Sequence, residues 1–178
     1  DSGFRASFDD WFFLRYADPD THLRLRFFGE PARLLAEVLP AITAAVQPLL
    51  ANGTLDKIVL DTYQREVERY GGLTGVRLAE KLFSRDSDLA MTFLEHTDDD
   101  AIPEVLWPMA VVAIDKLLED FGYSPEGKFK KISEIADGFL SEFGMNPAYQ
   151  KRLGDKFKLV RGDIAAAFTN PADNPDHP

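Results

Sequence analysis

Between Trp11 and Phe28 the chain reads WFFLRYADPDTHLRLRFF, and no other stretch restricts its fold as tightly. WFFLRY (11–16) is aromatic and strand-like. ADPDT (17–21) supplies turn chemistry through Asp18-Pro19-Asp20. HLRLRFF (22–28) alternates. Two such runs on either side of a turn predict an antiparallel hairpin. A strand points successive side chains to opposite faces. Leu23, Leu25 and Phe27 therefore share one face, which is expected to meet the core. His22, Arg24, Arg26 and Phe28 share the other. That second face sets two guanidinium groups about 7 Å apart along the strand, and a pair of neighbouring cations calls for a reason.

The sequence after the hairpin is mostly helical in pattern. Glu30-Pro31 opens a helix, proline being favoured at the first helical position. Leu34, Leu35, Val38, Leu39, Ile42, Val46, Leu49 and Leu50 recur at helical spacing, with Pro40 expected to kink or split the run. Asn52-Gly53 ends it. DKIVLDTY (56–63) reads as a third strand with Ile58, Val59 and Leu60 buried. QREVERYGG (64–72) leads through a Gly-Gly break into helices over 75–84, 86–96, 101–121, 125–143 and 147–168. Ser124-Pro125 and Asn146-Pro147 each look like a cap followed by proline at the first helical position. The polar lead-in DSGFRASFDD is expected to fray, and the tail at 169–178 to be disordered. The fold class is α+β: a small, mostly antiparallel sheet from the N-terminal half packed against a largely helical C-terminal half, in one domain over 1–168.

Composition narrows the function. The chain has 178 residues, 45% of them hydrophobic and 14 of them Phe, which suits one globular domain with a core. It has no cysteine, which excludes a disulfide scaffold, a thiolate metal site and a thiol nucleophile. No apolar run of spanning length and no export signal stands out, so the cytosol is the expected home and no membrane partner is expected. A net charge of −10 argues against direct nucleic-acid binding. In so acidic a chain two arginines on one strand face read as a local anion site.

Common catalytic motifs are absent: no GxGxxG, no phosphate-binding loop, no GxSxG. His22, His96 and His177 have no metal spacing, and His96 reads as a helix-end residue facing C-terminal carbonyls. Asp98-Asp99-Asp100 lacks the spaced pattern of a calcium loop and reads as a solvated cap. No cofactor and no metal are expected. Two places remain: the His22, Arg24, Arg26 face, and DTYQREVERYGG (61–72). In the second, Asp61, Arg65, Glu66, Glu68 and Arg69 crowd around two tyrosines. A helical turn there puts Glu66 and Arg69 on one face at i,i+3 and Arg65 beside Arg69 at i,i+4. As a bare surface pair this is worth about 0–1 kcal/mol.

WFFLRYADPDTHLRLRF, then a helix, then KIVLDTYQREVERYGG, then LAEKLFSRDSDLA, resembles the C-terminal elimination domain of lantibiotic dehydratases, a domain type also found in thiopeptide biosynthesis. The resemblance is close over about residues 11–90, and residues 101–168 fit as helices of the right character. It implies an enzyme of bacteriocin biosynthesis. In that family a separate protein or domain esterifies Ser or Thr of a precursor peptide with glutamate from glutamyl-tRNA. The elimination domain then expels the glutamate and leaves a dehydroamino acid. By the resemblance the family's functional arginines fall on Arg24 and Arg26, and its acid and arginine in the ExxRYGG segment on Glu66 and Arg69. Planar guanidinium groups suit the carboxylates of such a leaving group and an enolate-like charge.

The family's elimination domain is longer at both ends and carries an acid/base histidine in a C-terminal helix. Here the last helix, KRLGDKFKLVRGDIAAAF, has none, and His22 on the arginine face is the candidate to stand in. Glutamate elimination is the first reading. Its alternatives are pyridine-ring formation with leader release, as in a thiopeptide relative, and a non-catalytic peptide-binding or partner domain. The implied partners are a precursor peptide with leader and core, a glutamylating companion, and a second copy of the chain as a homodimer.

Overall fold

A computed structural model describes residues 2–98, 100–142, 144 and 147–168. The expected tail at 169–178 and the cap at Asn146 lie outside the described residues. The α+β class holds, with a two-stranded antiparallel sheet near the N-terminus and helices through most of the rest. The chain divides into two compact units, Asp1–His96 and Thr97–Pro178.

The first unit holds the hairpin: β1 (Asp10–Tyr16) pairs with β2 (His22–Phe28), with Phe12 opposite Arg26, Leu14 opposite Arg24 and Tyr16 opposite His22. Opposite residues share a face. One face therefore carries Asp10, Phe12, Leu14, Tyr16, His22, Arg24, Arg26 and Phe28. The lead-in is folded. A short helix α1 (Ser2–Arg5) brings Phe4 and Phe8 edge-on to Phe27, and Ser7 and Phe8 are buried. Trp11 stacks on Phe27 from the same side.

After the hairpin, the chain is helical from Pro31 to Ala51 without a break. Glu30 caps α2 (Pro31–Arg33) by accepting from the Arg33 amide at 2.8 Å. A π-helical turn, Leu34–Val38, then leads into α3 (Leu39–Ala51). Pro40, expected to kink or split this helix, does not split it. Proline has no N–H to give its preceding turn and its ring crowds that turn, and the wider π turn just before it relieves the crowding. The stretch has a mean hydropathy of 1.7 and is long and apolar enough to cross a membrane by length and composition, a feature that a count of uninterrupted apolar residues misses.

The third strand is a correction. Residues 55–66 form no ladder, and Ile58, Val59 and Leu60, expected to be buried, are exposed. A β-rich run with no partner strand beside it cannot satisfy its backbone as a strand. A second correction joins two helices: α4 runs unbroken over Leu73–His96. Gly71 and Gly72 precede it at φ of 76° and 97°, a region open to glycine. Gly75 has a different constraint, since a Cβ there would collide with the Tyr70 carbonyl oxygen and lie 2.8 Å from its carbon.

Val76, Glu80, Phe83, Ser84 and Ser87 recur on one side of α4, and this side lies against β1. Ser87 Oγ accepts from the Phe13 amide at 3.1 Å, Ser84 donates to Asp10, and Trp11 Nε1 donates to Asp88 at 2.9 Å. The first of these bonds satisfies one amide of an otherwise open sheet edge, and the other two tie side chains of β1 to α4. The core is small: Phe8, Phe12, Val38 and Val76.

The second unit holds α5 (Ile102–Asp120), α6 (Pro125–Glu142) and α7 (Pro147–Ala167). Ser124 Oγ accepts from the Gly127 amide at 3.2 Å, the expected cap. Lys128 of α6 donates to Asp115 of α5 at 2.9 Å. His96, at the end of α4, has Nδ1 2.7 Å from the Thr92 carbonyl oxygen.

Candidate functional site

The hairpin is covered by position along its length more than by face. Its open end is half-buried, covered by Phe4 and Phe8 on one side and by α4 and Tyr63 on the other. Its turn end projects into solvent. This corrects the expected core face: Leu23 and Leu25 are 60% and 44% exposed, while Phe12, on the arginine face, is 1% exposed. Phe12 packs against Phe28, Tyr63 and Phe83.

Arg26 therefore emerges from an aromatic floor. Its guanidinium carbon lies 4.1 Å from the centroid of the Tyr63 ring. That ring is held edge-on by Phe12 at 6.0 Å and by Phe28 at 6.1 Å. The Arg26 Nε is buried with no hydrogen-bond partner. Beside it, Arg65 Nε donates to Glu80 Oε1 at 2.7 Å, and the Arg65 guanidinium lies 5.8 Å from the Phe28 centroid. Glu80 is 6% exposed, so its charge is met by protein groups, the Arg65 guanidinium and the Tyr63 phenol, in place of water. Burial first, and then the charge and hydrogen bonding of Glu80, push the Tyr63 phenol above its ordinary range; Arg26 and Arg65 oppose the shift.

At the turn end, Arg24 repeats the arrangement in the open. Its guanidinium carbon lies 4.0 Å from the Tyr16 centroid, and Tyr16 stacks on His22 at 5.4 Å. Arg24 Nε donates to His22 Nε2 at 3.1 Å, and His22 Nδ1 is 2.7 Å from the Asp20 carbonyl oxygen. An arginine N–H only donates, so Nε2 is the acceptor and Nδ1 carries the proton. Both ring nitrogens of His22 are thus engaged.

Among the described residues neither Arg24 nor Arg26 has a carboxylate partner. Every other arginine pairing that bears on this face goes elsewhere. Arg69 donates to Glu66 at 3.0 Å, the expected i,i+3 pair, exposed on both sides. The two residues border an open concavity of about 540 Å³ lined by Arg65, Glu66, Val67, Glu68 and Arg69. No bond among the described residues joins Glu66 or Arg69 to Arg24 or Arg26. Arg65 reaches Glu80 instead of stacking beside Arg69, and through Glu80 and Tyr63 it is the member of this segment tied to Arg26.

The sequence reading missed Tyr63 and Glu80. Glu80 had a signal: an acid on the Val76, Phe83, Ser84, Ser87 side of α4, where a solvated residue does not belong. Among the described residues no group of three or more His, Cys, Asp or Glu side chains is placed to hold a metal ion.

The chain matches the family described as lantibiotic biosynthesis dehydratase C-term over residues 2–174, and it belongs to that family. It is 33% identical over 136 residues to the subtilin biosynthesis protein SpaB of Bacillus subtilis, covering 74% of this chain and 13% of that protein. It is 33% identical over 92 residues to the nisin biosynthesis protein NisB of Lactococcus lactis subsp. lactis, covering 50% of this chain and 9% of NisB. The crystal structure of the tRNA dependent lantibiotic dehydratase MibB from Microbispora sp. 107891 aligns at 39% identity and a TM-score of 0.47, over 53% of this chain and 9% of that one. The chain thus spans a small fraction of the length of these relatives.

Proposed function

We propose that this chain acts in the biosynthesis of a ribosomally made, post-translationally modified peptide, and that its arginine face serves glutamate elimination from a glutamylated Ser or Thr of the precursor. One observation carries the reading. In a chain with 30 acidic residues and a net charge of −10, Arg24 and Arg26 stand on one strand face, stacked on tyrosine rings, with no carboxylate of their own among the described residues. Membership of the dehydratase family and the likeness to SpaB and NisB point the same way.

In the proposed step a base takes the α-proton, the Cβ–O bond breaks, the Cα–Cβ double bond forms, and glutamate departs with the electron pair on its ester oxygen. Arg24 and Arg26 hold the carboxylates and offset the enolate-like charge. A carboxylate that takes the Arg24 Nε–H away from His22 leaves Nε2 free to accept the α-proton, so ligand arrival exposes the base. Glu66 and Arg69 border the approach. A glutamylating companion supplies the ester.

The occupied His22 Nε2 favours a second reading, in which the chain binds the precursor peptide without turning it over. Mass spectrometry on a Ser-glutamylated precursor peptide separates the two. Loss of the glutamyl group with a dehydroalanine left behind, abolished in the Arg24→Ala, Arg26→Ala double variant, is the expected outcome. An ester left intact by the wild-type chain, alone and with a glutamylating companion, sinks the elimination reading.

A further inference from the structure

We infer that Tyr63 is a positioning residue for the anion site: the face of its ring fixes the plane of the Arg26 guanidinium and keeps that cation unpaired for an incoming carboxylate. This deepens the proposed function and rests on its assignment of Arg26 to the anion.

Three features of the surroundings lead there. First, the ring cannot turn freely. Phe12, nearly inaccessible, and Phe28 both meet it edge-on, at interplanar angles of 82° and 84°. A guanidinium lying 4.1 Å from the centroid of such a ring inherits its orientation. A flat, oriented fork is what bidentate carboxylate binding needs. Second, the buried carboxylate nearby is committed elsewhere. Glu80 takes Arg65 at 2.7 Å and sits beside the Tyr63 phenol. Had Arg26 reached Glu80, it would be neutralised and closed to a ligand. The ring gives Arg26 a partner of the weaker kind, which steadies a cation without neutralising it. Third, Tyr63 comes from a segment with no regular structure between α3 and α4, so the hairpin does not itself supply the ring that orders its arginine.

The ring face and the phenol are separable. Tyr63→Phe keeps the face and removes the hydroxyl beside Glu80. Tyr63→Leu removes the face. Titration calorimetry of the chain with free L-glutamate as probe reads both. The expected result is an affinity for Tyr63→Phe within about twofold of wild type and a loss of about fivefold for Tyr63→Leu, the order of one cation–π contact. Equal binding by Tyr63→Leu and wild type overturns the proposal. So does a Tyr63→Phe loss as large as that of Tyr63→Leu, which would assign the effect to the phenol.

A double-mutant cycle guards against a merely structural effect. Lysine carries a point charge that no ring can hold flat. If Tyr63 acts by orienting a guanidinium, Arg26→Lys costs affinity in the wild-type background and adds little in the Tyr63→Leu background. Strictly additive losses overturn the role. The anion site fails on a different result: Arg26→Ala binding glutamate as well as wild type. Binding lost in Arg26→Ala and untouched in Tyr63→Leu keeps the site and removes Tyr63 from it.

Discussion

Phe12→Ala, set against Leu25→Ala, tests how the hairpin is buried. Strand alternation alone makes Leu25 a core residue, and a buried Leu→Ala change costs about 2–5 kcal/mol. The structure puts the weight on Phe12. Its ring is 1% exposed and touches Phe28, Tyr63 and Phe83, whereas Leu25 is 44% exposed. Removing the Phe12 ring leaves a cavity that three fixed aromatic neighbours cannot close, for a cost of about 3–5 kcal/mol. Full burial of a leucine contributes about 1.5–3 kcal/mol, so a half-exposed Leu25 loses about 1 kcal/mol. A stability of roughly 5–15 kcal/mol leaves room to measure both. Urea unfolding gives the comparison. At a slope of about 2 kcal/mol per molar urea, the Phe12→Ala midpoint falls by about 2 M and the Leu25→Ala midpoint by about 0.5 M. Trp107→Phe as background confines the fluorescence change to Trp11, which is stacked in the hairpin. A Leu25→Ala cost above that of Phe12→Ala would refute the reasoning and restore the leucine face as the core face.

Gly75→Ala is expected to destabilise the chain by about 1–3 kcal/mol, as overpacking does, because the new Cβ collides with the Tyr70 carbonyl; an ordinary helical Gly→Ala change stabilises by up to about 1 kcal/mol, so a raised melting temperature would contradict the packing. The Tyr63 phenol is held above its ordinary value, first by burial and then by Glu80. A phenol whose folded value is raised contributes stability that is complete below the unfolded value near 10 and is lost as pH rises through the folded value. The difference in phenolate absorbance between wild type and Tyr63→Phe should therefore titrate later than free tyrosine. Titration at or below the free value would remove Glu80 and burial as the cause.

Much of the first unit was legible because period and turn chemistry act locally. Asp18-Pro19-Asp20 between two strand-like runs gave the hairpin, and alternation placed His22, Arg24 and Arg26 together. Glu30-Pro31 gave a helix start, and the Glu66–Arg69 pair followed from i,i+3 spacing. Three of the failures, over the core face, the third strand and Glu80, share one cause, since each depended on a partner distant in sequence. Alternation sorts side chains into two faces, but it does not say which face is covered, or how far along the strand the cover reaches. α4 and Phe8 decide that. Ile58-Val59-Leu60 has the composition of a strand and no neighbour to pair with. Glu80 gained its role from Arg65, fifteen residues earlier in the chain but adjacent only once the segment folds back.

The same dependence explains how two arginines can occupy the more buried face of a hairpin in an acidic chain. A guanidinium beside a core must have its charge met by water, a carboxylate or an aromatic face. Arg65 takes the carboxylate, Glu80. Arg24 and Arg26 take rings, Tyr16 and Tyr63. A buried ion pair that loses one member costs several kcal/mol, so a carboxylate partner resists being exchanged for a ligand. An arginine on a ring face has no such partner to surrender. The order of residues along the strands produces this difference. Phe12 and Phe28 alternate with Trp11 and Phe27, so both faces of the hairpin's open end are aromatic. Arg26 lies next to that floor, and Arg24 lies one pair further toward solvent. The chain thereby has one guanidinium stacked beside the packed aromatic floor and one at the exposed turn, bonded to His22.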